Sequence, residues 1–357
     1  MARNTNIVEV GPGAHHGAPA RVLIVDDSVV ARSVIGRMIE GTRHFTVAGA
    51  VSDARAALTF LTRHDVEIIL LDIEMPGVDG LTALPDLLAA GRGAKVLIVS
   101  SSAEEGAAAT VQALALGAAD TLVKPGVGAF GGRFAEVLEE RLERLMEPHA
   151  ETAPSLPTST VPALHDDFDI VAIGASTGGI HALSQLLRAI PQSFQVPILV
   201  TQHLPPSFMS FFAAQLAVLG SRPCDVAAEC MRIRPGRIIV APGTAHMRVV
   251  RTSEGTAIRL TEERCTSGCM PSVDPMFESI AEVYGARALG IVLSGMGRDG
   301  SEGAARLVDA GARIVVQDRE SSVVWGMPGS VASAGRASAV LPPEEIGKLV
   351  ASRRRPS

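Results

Sequence analysis

Short, unbroken apolar runs recur along the chain, and each ends on a small or polar residue. In the first half, VLIV (22–25) runs into Asp26 and Asp27, and EIILL (67–71) into Asp72. KVLIV (95–99) then runs into Ser100, and TLV (121–123) into Lys124 and Pro125. Continuous rather than alternating runs predict strands covered on both faces, as in parallel sheets. Between them, residues 29–40 and 54–63 carry apolar side chains at helical spacing, 45–50 reads as a strand, and 134–146 as a further helix. The second half repeats the scheme. DIVAI (169–173) ends at Gly174, and VPILV (196–200) carries Thr201, Gln202 and His203 past its end. ALGIVL (288–293) leads into SGMGRDG (294–300), and RIVVQ (313–317) is the last strand expected. Helices are expected over 180–190, 207–219, 276–284, 301–310 and 344–352. RIIVA (237–241) opens a set of short strands in which 248–251 and 257–260 form a hairpin. This alternation predicts the α/β class, with two doubly wound parallel-sheet domains whose ligand sites lie past the C-terminal strand ends.

The alternation breaks once. Residues 147–167, EPHAETAPSLPTSTVPALHDD, are rich in Pro, Thr, Ser and Ala and read as an extended linker. Residues 1–19 are Gly-, His- and Pro-rich without periodicity and read as a disordered tail. The domains are therefore expected at 20–146 and 168–357, and 357 residues are enough for two separate cores. Lys and Arg number 32 against 38 Asp and Glu, a net charge of −6, and no basic helix-turn-helix follows the first domain, so a nucleic-acid partner is not expected. No apolar run reaches membrane-spanning length and the N-terminus lacks a signal-peptide pattern, so a cytoplasmic, non-inserted protein is expected. Cys224, Cys230, Cys265 and Cys269 form no paired CxxC motifs, which argues against a structural zinc site. Cys265 and Cys269 read as a redox pair or, in a reducing compartment, as free thiols.

Two groups of residues carry chemistry. Asp26, Asp27 and Asp72 end two strands of the first domain, and three gathered carboxylates call for a cation. Their hard oxygens suit Mg²⁺, whose shell also accepts phosphate oxygens. Lys124 and Ser100, at the ends of two further strands, would share the charge of a phosphoryl group held on an aspartate. In the second domain, Gly174-Ala-Ser176-Thr177-Gly178-Gly179 makes a strand–turn–helix unit. Such a unit suits either a serine nucleophile beside an oxyanion site or a phosphate-binding glycine turn. His203 and Asp299, past two other strands, complete a serine–imidazole–carboxylate set. Gly174-x-Ser176-x-Gly178 also fits the α/β-hydrolase elbow, but that fold places its histidine last, and His246, the last histidine here, precedes Asp299. His246 reads as a packing or surface residue, His181 at the start of a helix as exposed, and Trp325 as packing at a sheet edge.

The motifs LIVDDS, LLDIEMPGVDG, VSS and the Lys-Pro pair resemble a response-regulator receiver domain. That resemblance implies a flavodoxin-like fold with Asp72 as phosphoacceptor, Asp26 and Asp27 as the metal-binding pair, and Glu74 supplying a backbone carbonyl to Mg²⁺. Lys124 and Ser100 take the conserved lysine and hydroxyl-switch positions, and a histidine kinase is the implied phosphodonor. IGASTGG, TQH, IIVAPG, PSVDPMF, LSGMGRDG and SSVVWGMPG resemble the catalytic domain of bacterial chemotaxis protein-glutamate methylesterases, a Rossmann-like domain. By this resemblance Ser176, His203 and Asp299 are catalytic, and Thr177 and Met296 shape the site and its oxyanion contacts. No cofactor is implied for the ester chemistry. The resemblance further implies a phosphorylation-activated hydrolase that demethylates glutamate methyl esters on chemoreceptors and deamidates glutamines. It also implies that the unphosphorylated receiver blocks the catalytic cleft. A binding protein that docks without turnover is the alternative, disfavoured by the complete Ser176/His203/Asp299 set. Residues 265–270 depart from the family pattern, where a more polar approach to PSVDPMF is expected.

Overall fold

The apolar runs form the interior strands of two parallel sheets. The computed structural model describes residues 18–100, 104–124, 132–146 and 168–352. The expected tail up to residue 17, the linker at 147–167, Pro125 and the C-terminal 353–357 lie outside the described residues.

The first domain alternates β1 (Ala20–Val25), α1 (Val29–Glu40), β2 (Phe45–Val51), α2 (Ala54–Leu61), β3 (Ile68–Leu71), α3 (Gly80–Ala90), β4 (Lys95–Ser100), α4 (Glu104–Leu116), β5 (Asp120–Val123) and α5 (Gly132–Met146). Its sheet has the order β2-β1-β3-β4-β5 with every pair parallel. This is the flavodoxin-like winding, whose switch point lies between β1 and β3. Ser28, Asp53 and Asp79 cap α1, α2 and α3 by accepting backbone N–H groups of the first turn.

The second domain contains β6 (Ile170–Ala175), α6 (Gly179–Arg188), β7 (Ile198–Gln202), α7 (Met209–Gly220), β8 (Cys224–Val226), β9 (Ile238–Val240), β10 (His246–Thr252), β11 (Gly255–Thr261), α8 (Val273–Tyr284), β12 (Ala288–Val292), α9 (Ser301–Asp309), β13 (Arg313–Gln317), α10 (Gly326–Ser333), β14 (Ala339–Leu341) and α11 (Pro343–Ala351). Seven strands form one parallel sheet in the order β14-β13-β12-β6-β7-β9-β8. β10 and β11 pair separately as the expected antiparallel hairpin. The chain winds outward from β6 through β7, then returns to β12 on the other side of β6. That reversal makes a crevice at the C-terminal ends of β12, β6 and β7.

The two domains share packing. The buried cluster that contains Val111 and Leu114 of α4 continues into Leu183 and Leu187 of α6 and Phe212 of α7. Polar contacts frame this apolar seam. Gly178 N–H donates to Ala119 O at 2.8 Å, and Lys95 Nζ donates to Val323 O at 3.0 Å. His181, expected to be exposed, is half-buried here instead, with Nδ1 3.1 Å from Ala115 O. Its position on the first turn of α6, the face that meets α4, accounts for the difference.

Candidate active site

β12, β6 and β7 are neighbours in the sheet, and their C-terminal ends deliver Asp299, Ser176 and His203 to one crevice. Ser176 stands on the turn between β6 and α6. Its N–H donates to Ser294 O at 3.0 Å, and its carbonyl accepts Gly179 N–H at 2.8 Å and Gln202 Nε2 at 2.9 Å. Ser294 pins the turn from below: its hydroxyl donates to Thr177 O at 2.7 Å and accepts Val324 N–H at 3.1 Å. Gly178 has φ +76°, and a Cβ there would lie 2.6 Å from Val323 Cβ, so glycine is required both by conformation and by space.

His203 is held by its backbone, whose N–H donates to Ala175 O at 3.2 Å, and its side chain is 19% exposed. Its Nε2 is 2.7 Å from Asp299 Oδ2. Asp299 is buried and also accepts Ser272 Oγ–H at 2.6 Å and Val273 N–H at 2.8 Å. Val273 is the first residue of α8, so the carboxylate sits at a helix N-terminus, where the dipole and free N–H groups favour negative charge. Burial opposes its ionisation, but the His203 contact together with Ser272 and Val273 brings its pKa down to about 2. For His203, burial disfavours the cation, yet Asp299 and then the Cys269 thiol outweigh it and raise the pKa to about 9. With Nε2 engaged by Asp299, Nδ1 is the ring nitrogen left for proton transfer. Among the described residues no hydrogen bond joins Ser176 Oγ to His203, although both line one cavity of about 320 Å³.

Other site residues fall into place around this core. His246 is fully buried, and its Nδ1 accepts Ser272 N–H at 2.9 Å. Its Nε2 therefore carries the hydrogen and donates to Glu263 O at 2.8 Å. It thus supports Ser272, which holds Asp299. Sequence reasoning gives Ser272, Ser294 and His246 none of these roles; the motifs PSVDPMF and LSGMGRDG contain Ser272 and Ser294 but point to segments rather than to either serine. Met296 lies half-buried in the loop that carries Asp299. Thr177 is buried, and its hydroxyl donates to Asp120 Oδ2 of the first domain at 3.0 Å. Asp120 also accepts Arg141 Nη1 at 2.5 Å. Ala119, Asp120 and Arg141 thus form the opposite wall of the cavity. The four cysteines are free, so Cys265 and Cys269 form no disulfide. Cys269 lines the cavity beside His203, whereas Cys265 Sγ lies 3.3 Å from His246 Nε2.

In the first domain, oxygens of Asp26, Asp27 and Asp72 lie within 4.8 Å of one another. Lys124 Nζ is 2.8 Å from Asp26 Oδ2 and 2.7 Å from Asp72 Oδ2. Burial raises the Asp72 pKa, and the Asp26 charge adds to it against the pull of Lys124. An all-oxygen cluster with this crowding of charge fits a hard divalent cation. Glu74 N–H donates to Asp72 Oδ1 at 3.2 Å, which fixes the turn after β3. Ser100 is the last residue of β4 and fully buried, with its hydroxyl 2.9 Å from Thr110 Oγ1 on α4.

Comparison with known proteins identifies both halves. The CheB methylesterase family matches residues 171–350, and the response regulator receiver domain matches residues 22–128. The chain is 42% identical over 346 residues to protein-glutamate methylesterase/protein-glutamine glutaminase 2 of Caulobacter vibrioides, covering 94% of this chain and 99% of that protein. It is 38% identical over 367 residues to protein-glutamate methylesterase/protein-glutamine glutaminase 1 of Rhodospirillum rubrum, covering 94% and 95%. The crystal structure of the Thermotoga maritima CheB methylesterase catalytic domain matches with 33% identity and a TM-score of 0.50, covering 52% of this chain and 98% of that one. The chain belongs to the CheB methylesterase family, in the form that carries a response regulator receiver domain at its N-terminal side.

Proposed function

We propose that Ser176, His203 and Asp299 form the catalytic triad of this receiver-regulated protein-glutamate methylesterase/protein-glutamine glutaminase. The observation that carries the reading is the 2.7 Å bond between His203 and buried Asp299 in the cavity that Ser176 shares. Asp299 fixes the imidazole with its hydrogen on Nε2, so Nδ1 removes the Ser176 proton as Oγ attacks the glutamyl ester carbonyl. The proton then passes to the departing methanol, or to ammonia for a glutamine. Water, deprotonated by the same nitrogen, hydrolyses the acyl-serine and restores the enzyme. The N-terminus of α6 and the 294–300 loop, with Thr177 and Met296, face the developing oxyanion.

The receiver supplies the switch. Asp72 is the phosphoacceptor, and Asp26, Asp27, Asp72 and the Glu74 carbonyl would hold Mg²⁺, which neutralises phosphoryl charge when bound. Lys124 pairs with the phosphoryl, and Ser100 turns from Thr110 toward it. A chemotaxis histidine kinase is the phosphodonor and methylated chemoreceptors are the substrates, in a cytoplasmic adaptation pathway. Ala119 O accepts Gly178 N–H and Asp120 accepts the Thr177 hydroxyl, contacts that support a receiver which, unphosphorylated, covers the nucleophile turn. The deciding experiment measures methanol release from a methylated chemoreceptor fragment. Ser176→Ala should abolish release while phosphorylation of Asp72 proceeds; undiminished release would remove Ser176 from the reaction.

A further inference from the structure

The catalytic cleft contains a donor set of which the ester chemistry uses only two members, His203 and Asp299, and leaves the third, Cys269, without a role. A ring nitrogen of His203, Cys269 Sγ and a carboxylate oxygen of Asp299 all lie within 4.8 Å of one another. They come from three separate segments, after β7, before α8 and before α9, so no spacing in the sequence announces them. Cys269 is a free, half-buried thiol on the wall of the same cavity that Ser176 and His203 line. We propose that this trio is an inhibitory site for a thiophilic divalent cation, Zn²⁺ above all, and that zinc occupancy shuts the esterase off. The inference rests on His203 being the catalytic base.

The donor chemistry favours zinc over the magnesium of the receiver. Thiolate, imidazole and carboxylate are the three ligand types zinc takes, at about 2.0–2.3 Å. Tetrahedral coordination at those lengths puts ligand atoms roughly 3.3–3.8 Å apart. The His203–Asp299 pair at 2.7 Å need open by well under an ångström, and Cys269, already within 4.8 Å of both, need close by at most about one. Three protein ligands leave a fourth position facing the cavity for water. The Mg²⁺ cluster of Asp26, Asp27 and Asp72 offers oxygen only, which a soft cation prefers less than sulfur and nitrogen. Two of the other thiols, Cys224 and Cys265, compete poorly. Burial pushes Cys224 up to about 12, and burial also raises Cys265, which stands against His246 rather than His203.

The consequence for turnover is direct. Zinc bound to His203 and Asp299 takes away the orienting carboxylate or the free ring nitrogen, and either loss stops proton transfer from Ser176. Ligation takes Cys269 as the thiolate, and its proton leaves to solvent.

The test uses the full-length chain and two readouts. Co²⁺ stands in for Zn²⁺, and a cobalt–thiolate charge-transfer band reports sulfur ligation independently of activity. In parallel, methanol release from a methylated chemoreceptor fragment is titrated with Zn²⁺, each variant being referred to its own metal-free rate. Expected results are a cobalt band in the full-length protein, its displacement by Zn²⁺, and inhibition that a chelator reverses. Cys269→Ser and Cys269→Ala should both lose the band, and the zinc needed for half-inhibition should rise by on the order of tenfold or more. Cys265→Ser and Asp72→Asn should keep both band and inhibition, which separates this site from the other thiols and from the receiver cluster. Absence of the band, or its persistence in both Cys269 variants, overturns the site. A band that depends on Cys269 without loss of turnover overturns inhibition and removes His203 from the role of base. If Ser176→Ala retains turnover while the band and its Cys269 dependence stand, the triad fails and the metal site does not.

Discussion

Asp299 is the residue on which the site turns, because four groups meet on its carboxylate. Ser272, Val273 and the His203 ring bond it at 2.6, 2.8 and 2.7 Å, and Asp274 N–H approaches at 3.4 Å. Asp299→Asn keeps the shape but presents an amide to His203, which favours the wrong tautomer. Turnover should drop on the order of 10⁴-fold with the fold intact, measured as kcat/KM for methanol release; a loss of only a few-fold would mean that Asp299 does not orient His203. The raised pKa of His203 has a signature too. Only the neutral ring accepts the Ser176 proton, so basal kcat/KM of the unphosphorylated chain should climb with pH until about 9. Cys269→Ala, which removes one of the groups raising that pKa, should move the limb to lower pH. A profile flat above pH 7 in both proteins would refute this.

Asp274 gives a second test at the same scale. It is buried beside Asp299, and its Oδ1 accepts Gly303 N–H at 2.7 Å. Burial first, then the Asp299 charge, pushes its pKa up to about 7. The folded chain therefore keeps a proton that the unfolded chain releases near pH 4, so this group stabilises the fold below about pH 4, and that contribution is lost as pH rises to about 7. Asp274→Asn retains the oxygen that Gly303 needs and abolishes the titration. Thermal melts should show the variant gaining on the parent protein between pH 5 and 8, by about 1 kcal/mol or more. A constant difference across that range would mean that Asp274 does not hold a proton.

At the scale of elements, the N-terminus of α6 serves two masters. On the proposed mechanism it offers donors to an oxyanion, and in this arrangement β5 and the residue before it claim them: Ala119 O takes Gly178 N–H, and Asp120 takes Thr177 Oγ1. Asp120→Ala removes the second clasp and leaves Arg141 without this partner. Basal methanol release by the unphosphorylated chain should therefore rise several-fold, on the scale of tenfold for about 1.4 kcal/mol of clasp energy. An unchanged or lower basal rate would argue that the clasp does not restrain the cleft. Elements of this kind differ in how much of themselves they write into the sequence. The interior strands are legible because both faces are buried and the run is unbroken, as in VLIV, IILL and VAIG. β8 and β14 are not: each is a three-residue edge strand, only half-buried, too short to leave a period. α10 is hidden by its composition, GMPGSVAS, in which Gly and Pro argue against the helix that packing on β13 imposes. α8 begins at Val273, three residues ahead of the expected start, since Pro275 is tolerated in a first turn. Ser176, His203 and Asp299 can be found because each follows a legible run. His246, Ser272 and Ser294 cannot be given their roles, because the bonds behind those roles cross 17 residues of chain or more and no local pattern encodes them.

The whole molecule joins these levels through one short strand. β5 carries Asp120 at its start, on the catalytic cleft, and Lys124 directly after its end, on Asp26 and Asp72. On the proposed switch a phosphoryl on Asp72 would add charge where Lys124 already sits, and Ser100 at the end of neighbouring β4 is bonded to α4, the helix that packs on α6 and α7. Both routes lead from the proposed phosphorylation site to the surface that lines the cavity of Ser176. The seam itself mixes buried apolar contacts with a few hydrogen bonds, the character of an interface within one chain that a few kcal/mol can redistribute. The catalytic half keeps a seven-stranded sheet and a core cluster of its own, including Phe277, Ile280 and Leu307, so it has the means to fold alone. We therefore expect a fragment starting near Asp167 to release methanol faster than the unphosphorylated full-length chain and to ignore phosphodonor. Mg²⁺ with a small phosphodonor should raise the full-length rate toward that of the fragment. Asp72→Asn should abolish the response while leaving basal turnover in place. Methanol release by these three proteins, measured with and without phosphodonor, decides the matter. A fragment no faster than the unphosphorylated chain would mean that the receiver does not restrain the cleft by covering it, and activation would then have to arise within the catalytic half.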